Sequence, residues 1–187
     1  MSKLTSMQHL KNIPRELDME NIQKAICDYL EVLKETKFPF KGDNIYNLMR
    51  TLKREPLTSG PYIGVSAFEA SNRIMTDLTI LYGVQSLLQD SRFTQFEKYT
   101  VEYGNENKNS HDIEASTHTM KLFGEAFNVA PSFFQTKKNN SLKKLRKKEN
   151  ENVVLLILYN SDARVSTREM KKANKNEYHI PVDIELY

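Results

Sequence analysis

Two acidic residues thirteen positions apart, Asp112 and Glu125, carry the clearest chemical signal in this sequence. Each lies in a short segment, residues 111–116 or 124–129, that alternates its side chains between two faces if it forms a strand. If the two strands are neighbours, the carboxylates converge on one point. Two carboxylates and a strand carbonyl make the hard oxygen site that Mg²⁺ prefers, where the ion could activate a water and stabilise charge on a phosphodiester. The alternative is that both acids belong to the solvent face of a sheet.

The bulk composition is that of a folded, soluble protein. The chain has 187 residues, 39% hydrophobic and 27% charged, which suits one domain with a helical extension. No apolar stretch approaches the roughly 20 residues needed to cross a bilayer, and the first residues lack the apolar block of a secretory signal. The single cysteine, Cys27, excludes an internal disulfide and fits a reducing compartment. We therefore expect a cytoplasmic protein without membrane contacts.

The first third of the chain predicts two helices. Residues 18–36 repeat apolar side chains at helical spacing, and Asp18 is placed to cap that helix. A shorter helix follows, whose inward side chains we expect to be Ile45, Tyr46, Leu48, Met49 and Leu52. The segment 55–61 contains two prolines and a glycine and reads as a loop. It divides a helical N-terminal extension, residues 1–57, from a core domain, residues 58–187.

The core domain begins with the strongest helix signal, residues 66–88, where Ser66 and Glu69 have the spacing of a capping box. The apolar period then changes from near four to two, which predicts strands. The expected elements are strands at 96–103, 111–117 and 120–129, a helix at 131–148 and a buried central strand at 153–159. A final strand within residues 178–187 should lie at a sheet edge, because Pro181 cannot donate a ladder hydrogen bond.

This order of one helix, three strands, a helix and a strand resembles the αβββαβ core of the restriction-endonuclease-like, or PD-(D/E)XK, superfamily. The motif of that family is an Asp on one strand followed by Glu/Asp-x-Lys on the next. Asp112 matches the first acid, and Glu125-Ala126-Phe127 falls on the triplet. The resemblance implies a mixed α/β (α+β) fold and a Mg²⁺-dependent endodeoxyribonuclease of type II restriction-enzyme character, with Mn²⁺ as a substitute. It also implies a homodimer, since cutting a duplex needs two sites.

The sequence departs from the family motif at Phe127, which stands where the lysine is expected. Some members of the superfamily carry that lysine on the following helix, so the resemblance implies Lys137 as the catalytic lysine, with Lys138 and Gln135 as further candidates. The alternative is a catalytically inactive nuclease-like domain that acts as a DNA-binding or protein-interaction module. A Phe127 ring filling the space between the two acids, with no lysine in reach, would favour this alternative.

Three further side chains are candidates for the same site. The resemblance implies Glu69 as an additional metal ligand from the first helix, although its capping-box role with Ser66 is the favoured explanation. Glu102 either joins the site or faces water. His111 is either a base beside Asp112 or a surface residue at the start of its strand.

A basic segment follows the second acidic strand. The net charge of the whole chain is only +3, yet seven lysines and arginines lie within residues 137–148, with no acid before Glu149. Such a strip attracts phosphates without regard to sequence. The expected nucleic-acid contacts are Lys138, Lys143, Lys144, Arg146 and Lys147, together with Arg164 and Arg168 after the central strand. If these lysines instead scatter around the surface, a small α+β protein without a nucleic-acid role is the remaining interpretation.

Overall fold

The structure is a computed structural model that describes residues 10–37, 44–104, 110–164 and 175–184. In these ranges the helices are α1 (Ile22–Lys34), α2 (Ile45–Arg54), α3 (Ala67–Gln89) and α4 (Pro131–Leu145). The strands are β1 (Glu16–Asp18), β2 (Lys98–Val101), β3 (Ile113–Ser116), β4 (Lys121–Phe127), β5 (Val153–Asn160) and β6 (Glu177–Val182). None of the described helices is long and apolar enough to cross a bilayer.

The six strands form one mixed sheet in the order β1-β2-β3-β4-β5-β6. Strands β1 to β4 are antiparallel neighbours, whereas β4, β5 and β6 run parallel. Helix α4 makes the crossover from β4 to β5, because parallel neighbours need a long connection. The prediction of a mixed α/β fold is confirmed, and the expected order of helix, three strands, helix and strand is present from α3 to β5.

Strand β5 is buried along its whole length, as predicted, although it lies next to the edge strand β6 and not at the centre of the sheet. Val154, Leu156 and Leu158 pack in the cluster that contains the α1 and α3 side chains. The alternate residues of β5 pack with α4 on the other face. This two-sided burial explains why β5 carries no polar residue before its end. Gly83 permits the close approach of α3 to β5, since a Cβ at residue 83 would lie 2.2 Å from the Leu158 side chain.

The N-terminal segment contributes a strand that the sequence did not predict. β1 pairs with β2 at the sheet edge, with Leu17 opposite Tyr99. The helix prediction was wrong in its start, because α1 begins at Ile22 with Asn21 as the N-cap. Asp18 closes the preceding turn instead, where its Oδ1 accepts the N–H groups of Glu20 and Asn21, both at 3.1 Å. Helical spacing alone does not show where a short edge strand ends and the following helix begins.

The inward face predicted for α2 is wrong for three of its residues. Ile45 is 72% exposed, Tyr46 74% and Met49 43%. Leu48 and Leu52 are half-buried, as one flank of the helix packs on α3. The described part of the chain therefore covers only the flank of α2 that carries Leu48 and Leu52.

The edge position of the last strand is confirmed. β6 lies outermost beside β5, and Pro181 is part of it, opposite Tyr159. The last three residues of the predicted strand fall outside the described residues.

A buried carboxylate ties the N-terminal segment to the sheet layer. Asp77 of α3 is fully buried and accepts hydrogen bonds from the hydroxyls of Tyr29, at 2.6 Å, and Tyr62, and from the N–H of Gly104, at 2.8 Å. Burial raises the pKa of Asp77 to about 6. The three donors stabilise the ionised form of Asp77. Through them, this carboxylate of α3 connects α1, the loop before α3 and the end of the β2 segment.

We expect Tyr29→Phe to lower the free energy of unfolding by about 1.5–3 kcal/mol, since it removes a donor to a buried charged group. Urea denaturation at neutral pH measures the change. Tyr46→Phe, at a side chain that is 74% exposed, is the matched control. Equal losses in both variants would show that Asp77 does not depend on the Tyr29 hydroxyl.

Candidate active site

The pairing of β3 with β4 brings the two predicted carboxylates together. Ile113 is the partner of Gly124, so the next residues outward, Asp112 and Glu125, face each other across the strands. Beyond Ile113 the backbone of β3 bends away, and the Asp112 side chain replaces it as a partner of β4: Oδ2 accepts the Ala126 N–H at 2.9 Å. The Asp112 carboxylate is therefore held in place beside the acid on the neighbouring strand.

Glu125 is a largely buried carboxylate with two polar neighbours. Its side chain is 10% exposed, and Oε1 lies 2.8 Å from Nδ1 of His111 and 2.7 Å from Nζ of Lys144. The His111 ring is itself buried and packs against the ring of Phe123, with 5.0 Å between their centroids. Glu125 is thus oriented from the β3 side by an imidazole and from α4 by an ammonium group.

The charge of Glu125 acts on Asp112. The pKa of Asp112 is raised to about 6, first because the group is buried and second because the charge of Glu125 lies nearby. The Ala126 N–H and the positive charges of Lys144 and Lys137 act in the opposite direction and lower it. Burial and a second carboxylate thus both disfavour the ionised form of Asp112, and a bound divalent cation would favour it.

The lysine in contact with the pair is Lys144, whereas Lys137, the expected catalytic lysine, does not touch it and its catalytic role stays a prediction. The two residues are seven apart, or about two helical turns, and so share one side of α4. Lys137 acts on Asp112 through its charge, whereas Lys144 reaches Glu125 directly. Sequence alone does not show how far along the helix the strand carboxylate will lie.

The Phe127 side chain packs in the core beneath α4. Its side chain is buried, and its ring lies 6.1 Å from the ring of Phe134 and 6.3 Å, stacked, from that of Tyr159. The ring occupies an aromatic cluster under the helix, and a lysine is within reach of Glu125. The Phe127 ring therefore does not fill the space between the two acids, and a lysine is in reach, so the condition stated for an inactive domain is not met.

Two of the other predicted residues lie apart from the pair. Glu69 is exposed at the start of α3, where its carboxylate pairs with Arg73 and its N–H donates to Ser66 Oγ at 3.2 Å. Ser66 therefore caps the helix as predicted, but the Glu69 carboxylate pairs with Arg73. Gln135 is exposed and donates to Asn139 at 2.9 Å. Within the described ranges, no three His, Cys, Asp or Glu side chains form a cluster that could hold a metal ion, so Glu69 does not complete a three-acid site.

Glu102 lies beside the carboxylate pair in the sheet. It follows β2, is buried, and its N–H donates to the Asp112 carbonyl at 3.0 Å. The pairing of Val101 with Ile113 places Glu102 opposite Asp112, so three acids stand in one row across β2, β3 and β4. Of the two alternatives for Glu102, facing water is excluded.

The predicted nucleic-acid contacts divide between the flanks of α4. Lys144 faces the carboxylate pair. Arg146 binds Glu177 of β6, a partnership that the sequence did not predict, and the exposed Lys143 and Lys147 lie near it. Lys138 is half-buried, with Nζ 5.8 Å from the centre of the Phe134 ring. Arg164 follows β5, and Arg168 lies outside the described residues.

Comparison with known proteins adds no relative to this picture: no family model matches the chain, and neither does any curated protein or solved structure.

We expect Asp112→Asn to raise the free energy of unfolding by about 1–3 kcal/mol at pH 8 and to have little effect near pH 4. The folded-state pKa of about 6 lies above the ordinary 3.8, so the folded protein binds this proton more tightly than the unfolded chain. The contribution of Asp112 to stability is therefore largest at low pH and is lost as the pH rises from about 4 to about 6.

Urea denaturation at the two pH values measures this difference, and Glu114→Gln controls for the loss of one negative charge from the same strand. The asparagine oxygen can still accept the Ala126 N–H, so the charge is the main change. A variant less stable than the wild type at pH 8 would contradict the raised pKa.

Proposed function

We propose that this protein is a Mg²⁺-dependent endodeoxyribonuclease of the PD-(D/E)XK type, in which a lysine of α4 takes the place of the strand lysine. The observation that carries the proposal is the 2.7 Å contact between Lys144 Nζ and Glu125 Oε1, next to Asp112. One acid directly before β3, one acid of β4 and one lysine of α4 are the three charged groups that correspond to that motif. The element order from α3 to β5 supports the same family, which stays a proposal.

The donor set fits the proposed metal. Mg²⁺ usually keeps several waters and takes only one or two carboxylates from the protein, so Asp112 and Glu125 suffice without a third acidic ligand. Burial, and after it the nearby charge of Glu125, raises the pKa of Asp112, and a divalent cation would stabilise its ionised form. When bound, Mg²⁺ would supply a water of lowered pKa and positive charge for the phosphodiester oxygens, and Mn²⁺ would substitute for it.

The residues of the chain would then divide the remaining work. The Ala126 N–H holds the Asp112 carboxylate, and His111 holds Glu125, so both acids are positioned before substrate binds. The ammonium group of Lys144 would contact the phosphate or orient the attacking water. Lys137, on the same side of α4, would add positive charge around the scissile phosphate. Positioned cations of this kind stabilise the charge that develops in the transition state.

The catalytically inactive alternative is favoured by one observation. Oε1 of Glu125 already has two close polar partners, His111 and Lys144, so the carboxylate is satisfied without a metal ion. In that case the domain would bind DNA or a protein and cleave nothing. Calorimetric titration with Mn²⁺ separates the two proposals, since a silent site should bind the ion poorly.

The proposal includes duplex DNA as substrate and a homodimer as the active form, because cleavage of both strands needs two such sites. It also places the protein in the reducing cytoplasm, in keeping with Cys27, which is exposed and unpaired with any other cysteine.

We expect purified protein to nick supercoiled plasmid in Mg²⁺ or Mn²⁺, and Asp112→Asn and Glu125→Gln to reduce nicking to background. Lys144→Met should lower the rate by about 10²–10³-fold, the usual cost of losing one group that stabilises transition-state charge. Lys137→Met should have a smaller effect, because Lys137 acts on the pair through its charge alone.

Lys148→Met is the matched control, since it removes the same charge from an exposed residue of the same basic segment. Equal nicking by the wild type and the Asp112 and Glu125 variants would refute the assignment of these residues. If Lys148→Met and Lys144→Met lose the same activity, the lysine acts only through general attraction of DNA.

A further inference from the structure

The two flanks of α4 face different parts of the sheet. Lys144 contacts Glu125 of β4 from one flank, and Arg146, which follows the last residue of α4, contacts Glu177 of β6 on the other side. The positive charge of this helix is therefore not one continuous strip. A helix with its side chains is about 10–12 Å across, so groups on opposite flanks are separated by roughly that distance.

The β6 flank of α4 borders an open depression with a volume of about 490 Å³. Its lining consists of three cationic side chains, one amide and one apolar side chain: Lys143, Arg146, Lys147, Asn139 and Leu142. Lys143 and Lys147 are one helical turn apart, with both side chains exposed. Because the depression is open, it cannot enclose most of a small molecule as ligand pockets do. Its shape suits a ligand that passes across it.

Arg146 is fixed in position within this groove. Its Nε lies 3.0 Å from Glu177 Oε2, and its Nη2 lies 2.9 and 3.1 Å from the two carboxylate oxygens. Glu177 is fully buried, while the Arg146 side chain keeps 39% of its surface exposed. The buried acid thus holds a guanidinium at the surface in a single orientation, which lowers the entropy lost when that group binds an anion.

The surroundings of the groove carry more positive than negative charge. Lys138 is half-buried beside the groove, and its pKa is lowered, first by burial and then by the charge of Arg164. The charge of Glu177 raises this pKa, and the charge of Arg146 lowers it further. In the described part of the chain, Nη2 of Arg164 is buried without a hydrogen-bond acceptor. The one carboxylate in this group, Glu177, is already shared by Arg146 and by His179, whose Nε2 lies 2.9 Å away. A bound anion would offset the excess.

We propose that this groove, lined by Lys143, Arg146 and Lys147, binds backbone phosphates of duplex DNA at a place separate from the Asp112–Glu125 pair. One phosphate charge per roughly 3.4 Å of each strand means that a groove about 10–12 Å away engages phosphates about three nucleotides from the pair. That distance to a cleaved bond rests on the proposed nuclease activity, whereas binding in the groove does not.

The experiment measures fluorescence anisotropy of a labelled 16-base-pair duplex with the full chain, in EDTA to prevent cleavage, over a range of KCl concentrations. The double variant Lys143→Gln/Lys147→Gln should reduce the slope of log affinity against log salt by about 1–2, since each lost phosphate contact removes about 0.9. The double variant Lys24→Gln/Lys34→Gln in α1 changes the net charge equally and should leave the slope nearly unchanged.

Equal slopes for the groove and control variants, or wild-type protein that does not bind the duplex, would overturn the proposal. Binding to phosphatidylglycerol vesicles through Lys143 and Lys147, with no binding to the duplex, would overturn it in favour of a membrane surface. Loss of slope in the groove variant of a protein that never nicks plasmid would support the groove and refute the nuclease proposal.

Discussion

The antiparallel pairing of β3 with β4 is the constraint on which the candidate site depends. A slip of one residue would send Asp112 or Glu125 to the opposite face of the sheet, so the site exists in one register only. The apolar pattern of both strands holds that register, since Ile113 and Leu122 must face the α1 and α3 layer. Gly124 contributes as well, because a Cβ at that residue would approach Ile113 Cβ to 3.1 Å. Packing on one face of the sheet thus positions the chemistry on the other.

The rotation of α4 about its own axis is the second determinant. Phe134, Leu142 and Leu145 pack on β4 and β5, and Phe127 completes their cluster from the strand. Phe127, which departs from the nuclease motif, therefore helps to fix the position of α4, and α4 brings Lys144 to Glu125. The same packing turns Arg146 toward Glu177 on the other flank. One packed apolar surface thus decides the direction of two sets of positive charges.

Three acids among the described residues, Asp77, Glu177 and Asp112, are stabilised in different ways. Asp77 receives two hydroxyl groups and one amide, and Glu177 receives a guanidinium on both oxygens. Asp112 instead has another carboxylate as a neighbour, which raises its pKa alongside burial. Like charges held together cost stability, and a fold retains such an arrangement most readily where a ligand or metal ion can relieve it. This contrast singles out the Asp112–Glu125 pair from the structural acids.

The sequence by itself determined the order of elements, the mixed fold, the edge position of β6 and the strands that carry the two acids. These follow from periodicity and turn chemistry, which are local properties of the chain. Only the tertiary structure decided that β1 joins the sheet, that Ile45 and Tyr46 of α2 stay exposed, that Glu69 lies apart, and that Lys144 reaches Glu125. Each of these outcomes depends on what packs against an element and how far it is rotated. The carboxylate pair was therefore predictable from its strands, whereas its lysine was not, because a helix offers cations on every side and packing selects one.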